Sequence, residues 1–98
     1  MRIQKRLKLM NPAGLHARPA GMVVDQANKF SSDIRLSVEG RQVNAKSMIN
    51  LLRIASPQGT EVIVTADGAD AADAVKAIEQ LFLDGFGEMP SEPSPRRG

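Results

Sequence analysis

Residues 60–87 read TEVIVTADGADAADAVKAIEQLFLDGFG, and this stretch decides the fold class. Thr60 to Ala66 is rich in β-branched residues, with Val62 and Val64 on one parity and Glu61, Ile63 and Thr65 on the other, as in a strand with an inner and an outer face. Asp67-Gly68 is a turn signal. Beyond it Ala71, Val75, Ile78 and Phe82 recur at helical spacing, joined by Ala74 and Leu81, so Ala69 to Leu83 reads as an amphipathic helix ended by Gly85. A helix with one apolar stripe, following a strand with one apolar face, is expected to lie across the sheet that contains the strand.

Working outward, Ile3, Leu7 and Leu9 share one parity across Arg2 to Leu9, with Lys5 the exception, and Gln4, Arg6 and Lys8 occupy the other. Ile34, Leu36 and Val38 alternate with Asp33, Arg35, Ser37 and Glu39, and a turn at Glu39-Gly40 leads into a short strand near Gln42 to Ala45. Ala17 to Ala27 carries few helix breakers and reads as a first helix, with Val23, Val24, Ala27 and Phe30 expected on it to complete the apolar layer. Ser47 opens a short apolar helix. The resulting order is β-α-β-β-α-β-α, an α+β fold with antiparallel pairing and one wet sheet face.

The chain has 98 residues, 42% hydrophobic, enough for one small domain assigned to residues 1–88. Residues 89–98 contain Pro90, Pro93 and Pro95 without apolar periodicity and are expected to form a disordered tail. No apolar run is long enough to span a bilayer, and the basic start is not followed by the apolar run of a signal peptide, so a cytoplasmic protein is expected. Zero cysteines and a single histidine leave no set of residues for a thiolate or zinc centre, and neither metal nor cofactor is expected. A net charge of +2 without Tyr or Trp, and without a dense basic cluster in the folded part, argues against nucleic acid and for docking of acidic partners.

The lone histidine, His16, lies in Asn11-Pro12-Ala13-Gly14-Leu15-His16-Ala17-Arg18-Pro19-Ala20-Gly21, where turn formers give way to helix. As the N-cap, its ring would share space with the unpaired amides of Ala17 and Arg18 and the positive end of the helix dipole, a setting that favours a phosphoryl group. Arg18 adds a permanent cation with a planar fork for phosphate oxygens, and Pro19 fits the first turn because it needs no N–H partner there. From residue type alone, two readings stand: a capping loop histidine, or a nucleophile aimed at phosphate.

The string Gly14-Leu15-His16-Ala17-Arg18-Pro19-Ala20 resembles the active-site signature of HPr, the histidine-containing phosphocarrier of the bacterial phosphoenolpyruvate-dependent phosphotransferase system. Asn44-Ala45-Lys46-Ser47-Met48-Ile49 is similar to the regulatory-serine region of the same family, and the likeness runs from the first strand to about Gly87. The resemblance implies an open-faced β-sandwich, a four-stranded antiparallel sheet covered on one face by three helices. It also implies that His16 accepts phosphate at Nδ1 from phosphorylated enzyme I and passes it to enzyme IIA domains, with Arg18 as companion. Such a chain is a phosphoryl-transfer protein with a covalent phosphohistidine rather than a stand-alone enzyme, and a monomer is expected.

Ser47 is explained by capping alone, but in several branches of the family this serine is phosphorylated by HPr kinase/phosphorylase. An alternative function is therefore a regulatory binding module controlled by Ser47. The crowded apolar residues after it suggest an interface formed by Met48, Ile49 and Leu52. Asn50 and Ala55 stand where many sugar-branch relatives carry glycine, and the ending Leu81 to Glu88 is similar to nitrogen-branch carriers, so sugar uptake and a nitrogen or regulatory branch both stay open.

Overall fold

The computed structural model describes residues 1–88. The expected disordered tail, 89–98, lies outside the described residues. The elements are β1 (Arg2–Lys8), α1 (Ala17–Ala27), β2 (Asp33–Val38), β3 (Arg41–Asn44), α2 (Met48–Leu52), β4 (Glu61–Asp67) and α3 (Ala71–Leu83), followed by a tight turn at Gly85–Gly87. The strands form one antiparallel sheet in the order β1-β4-β2-β3. The sheet puts the β-branched strand of residues 60–66 beside β1 and β2, with Leu7 opposite Val62 and Leu36 opposite Val64.

Strand alternation sets the layers. Val62, Val64 and Ala66 on β4, Ile34, Leu36 and Val38 on β2, and Leu7 on β1 are buried, whereas Arg2, Arg6, Lys8, Glu61 and Asp33 on the opposite parity are exposed. The apolar layer meets Ala71, Ala74, Val75, Ile78 and Phe82 of α3 and Ala20, Val23 and Ala27 of α1 in one continuous core. Val24 and Phe30 pack against its edge, partly covered. Thr65 departs from the wet-face expectation: it is buried on the outer parity of the central strand β4, in a hollow also lined by Arg2, Arg35 and Gln42.

Two features carry the chain toward the site. The loop after β1 is strapped to the segment after α2, with Leu15 N–H donating to the Ser56 carbonyl (2.8 Å) and Gly59 N–H to the Leu9 carbonyl (2.7 Å). After α3, Gly85, Phe86 and Gly87 have φ of 60°, 54° and 75°, so three successive residues occupy the left-handed region and turn the chain back. A bulky residue rarely adopts this conformation. Phe86 is held there by full burial and by an edge-to-face contact with Phe82, ring centroids 5.0 Å apart.

Candidate functional site

Helix α1 begins where the turn formers end, at Ala17, and His16 is its N-cap with extended backbone (φ −132°). The first bond back along the helix is Ala20 N–H to the His16 carbonyl at 2.9 Å. Pro19 has no N–H, so the amides of Ala17 and Arg18 are the donors that the helix start leaves without an intrahelical acceptor. The imidazole makes no cap bond to its own helix, and its side chain is 40% exposed. It is therefore within reach of a partner while sitting at the positive end of an eleven-residue helix. Arg18 follows on the exposed face.

The remaining ring nitrogen contact was not anticipated. His16 Nε2 lies within hydrogen-bond distance of Glu88 Oε2 at 2.8 Å, and the second carboxylate oxygen, Oε1, accepts from Asn11 Nδ2 at 2.8 Å. Asn11 is fully buried, and its amide also donates to the Gly14 carbonyl at 2.7 Å, while Gly14 N–H returns a bond to the Asn11 carbonyl at 3.1 Å. Asn11 thus closes the turn before His16 and holds the carboxylate at the same time. The Asn11 hydrogen bond, ahead of the contact with His16 and a smaller pull from Arg18, holds the Glu88 carboxyl below the usual carboxylate range despite the opposing effect of burial.

Gly14 explains the close approach of the loop. At φ +70° it lies against the Ser56–Pro57 backbone so tightly that an added Cβ would come within 2.1 Å of the Ser56 carbonyl oxygen. Only glycine lets Leu15 bury and reach its Ser56 bond.

Ser47 is the N-cap of α2: its hydroxyl oxygen accepts from Asn50 N–H (3.3 Å) and more closely from Asn50 Nδ2 (2.8 Å). Around it the apolar residues divide. Leu51 and Ile54 are buried and Met48 packs against the core, leaving Ile49 (69% exposed) and Leu52 (43%) as the open apolar surface of the segment. Helix α2 packs on α1, the helix that starts at His16. Among the described residues, no group of three or more His, Cys, Asp or Glu side chains is placed to hold a metal ion.

Asn11 and Glu88 are the site residues that sequence reasoning missed. Asn11 read simply as a turn former. Glu88 carried one signal, a carboxylate following a glycine-flanked turn, but eleven acidic residues are present and only the chain reversal at 85–87 selects this one.

The residues from Ile3 to Asp84 match a family model described as "PTS HPr component phosphorylation site". The chain is 42% identical over 76 residues to phosphocarrier protein HPr of Mycoplasma capricolum, covering 78% of this chain and 85% of that protein. It is 40% identical over 86 residues to phosphocarrier protein HPr of Xylella fastidiosa, covering 88% of this chain and 97% of the relative. Among solved structures, HPr-C-His from Thermoanaerobacter tengcongensis superposes with a TM-score of 0.86 at 38% identity, covering 90% of this chain and 99% of that one.

Proposed function

From the premise that this chain belongs to the HPr family of phosphocarriers of the phosphotransferase system, we propose that His16 accepts a phosphoryl group at Nδ1 from phosphorylated enzyme I and delivers it to enzyme IIA proteins. The observation that carries this reading is the half-open imidazole at the start of α1, engaged through Nε2 and so leaving Nδ1 for the attack. In the forward step the Nδ1 lone pair forms the N–P bond as the bond between phosphorus and its donor breaks, the pair leaving with the donor. The amides of Ala17 and Arg18, the helix dipole and the Arg18 guanidinium would stabilise the added negative charge. Delivery reverses the roles, with the pair returning to Nδ1.

Docking of both partners on the Ile49–Leu52 side would exclude water from the transfer, and the compartment that fits such partners is the cytoplasm. Among the described residues no helix is long and apolar enough to cross a membrane.

The test is incubation of the full chain with enzyme I and phosphoenolpyruvate. An acid-labile, alkali-stable phosphoprotein is expected, lost in His16→Ala. Undiminished labelling of that variant would overturn the assignment. Because lysine keeps a cation but lacks the planar fork of arginine, Arg18→Lys is expected to slow transfer without altering its pH dependence.

A further inference from the structure

We infer that Glu88, aligned by Asn11, is a positioning residue that fixes the tautomer of His16. The inference rests on the reading of His16 as the phosphoryl acceptor and adds to it the groups that decide which nitrogen attacks.

Donors and acceptors across this contact must match. An ionised carboxylate only accepts, so a 2.8 Å contact from Glu88 Oε2 to His16 Nε2 requires the proton on Nε2. A neutral imidazole carries one N–H, and with that proton on Nε2 the lone pair is on Nδ1. Asn11 determines how the carboxylate is presented. Its two amide hydrogens are spent on the Gly14 carbonyl and on Glu88 Oε1, and reversing the amide would set its oxygen against those two acceptors. The amide orientation is therefore fixed, even though Asn11 Oδ1 is left buried without a hydrogen-bond partner.

The backbone shows that the placement of Glu88 is over-determined. Gly85, Phe86 and Gly87 all hold left-handed φ, and the strain at Phe86 persists because its ring is buried against Phe82. This reversal brings residue 88 within hydrogen-bond reach of residue 16.

The clamp also follows the charge through the reaction. When Nδ1 takes up the phosphoryl group and Nε2 keeps its proton, the ring becomes cationic, and the Glu88 carboxylate already lies against the N–H that carries that charge. When the N–P bond breaks, the pair returns to Nδ1 and the ring is neutral again with the same tautomer, ready for another cycle. No proton has to move in either direction.

The discriminating variant is Glu88→Gln. With Asn11 donating to the glutamine oxygen, the glutamine amide turns its N–H groups toward His16 Nε2, which now has to accept. The proton is driven to Nδ1, the atom that must attack. A merely structural role predicts the opposite order, since glutamine preserves shape and alanine does not.

The experiment uses the full chain. Ring nitrogen NMR shifts of His16, measured above neutral pH, are expected to report the Nε2–H form in the parent, a mixture in Glu88→Ala and mainly the Nδ1–H form in Glu88→Gln. Phosphorylation rates are expected to fall in the same order, with Glu88→Gln slower than the parent by roughly tenfold or more. Adding Asn11→Ala to Glu88→Gln frees the glutamine to rotate and is expected to restore part of the rate. Rates are measured with phosphorylated enzyme I and, separately, with phosphoramidate, whose P–N bond breaks as ammonia leaves.

If enzyme I fails to label the parent while phosphoramidate succeeds, the partner assignment falls and the phosphoramidate series still decides the clamp. If neither labels His16, the ring shifts decide it. A parent-like tautomer in Glu88→Gln, or a Glu88→Gln rate at or above that of Glu88→Ala, would overturn the inference.

Discussion

Replacing Gly14 with alanine tests whether the loop that carries His16 depends on one close backbone approach. The new Cβ would lie 2.1 Å from the Ser56 carbonyl oxygen and within 2.9 Å of the Pro57 backbone, so the two segments must separate. Holding a non-glycine residue at φ +70° costs about 1–3 kcal/mol. Stretching the Leu15–Ser56 bond, now 2.8 Å, removes about 0.5–1.5 kcal/mol more. The expected loss of about 1.5–4.5 kcal/mol corresponds to a fall in Tm of roughly 6–36 °C for a domain of this size.

Gly21 is the internal control. It lies within α1, its added Cβ would meet nothing within 4 Å, and Gly21→Ala is expected to gain about 0.5–1 kcal/mol from helix propensity. Thermal unfolding of the two variants beside the parent, followed by phosphorylation of His16, is the assay. Gly14→Ala should also transfer about 10–100-fold more slowly, because His16 is two residues from the displaced contact and transfer depends on its alignment. A Gly14→Ala protein that melts within about 3 °C of the parent and transfers normally would refute the reasoning, since that change is below about 1 kcal/mol.

Three further outcomes follow from contacts elsewhere in the domain. Asp70 accepts hydrogen bonds from the Ser32 hydroxyl and from the Ser31 and Ser32 amides, and these lower its carboxyl from the ordinary 3.8 to about 2. A depressed carboxyl stabilises the fold above its unfolded value and loses that contribution as pH falls. Unfolding midpoints should therefore drop between about pH 4 and pH 2 in the parent and drop less in Asp70→Asn; parallel curves would remove Asp70 from the account. Ser47→Ala should lose about 0.5–2 kcal/mol as a lost cap and transfer normally. A Ser47-phosphorylated sample should keep its circular dichroism spectrum but bind enzyme I more weakly, because a dianion beside Ile49 and Leu52 is costly to desolvate; equal affinity would reduce Ser47 to a helix cap.

Much of this molecule is legible in the chain because its signals are local. Strand parity at Val62, Val64 and Ala66 and helical spacing at Ala71, Val75, Ile78 and Phe82 assign each residue to a face without reference to distant parts of the chain, and the burial follows. The start of α1 at Ala17 and the cap at Ser47 are equally local, since turn formers and a side-chain oxygen act within a few residues. The family signature singles out His16 for the same reason, being contiguous.

What the tertiary structure decided involves residues far apart in sequence. Glu88 meets His16 across 72 positions and Asn11 across 77, and no periodicity encodes which acidic side chain a histidine will find. The apolar run after Ser47 likewise contains Leu51 and Ile54, which bury, and Ile49 and Leu52, which stay open. A five-residue helix is too short for its pattern to define a face, so the neighbours it packs against make the choice. Local sequence determines which way a side chain leaves its own element; which partner waits there depends on the packing of the whole domain.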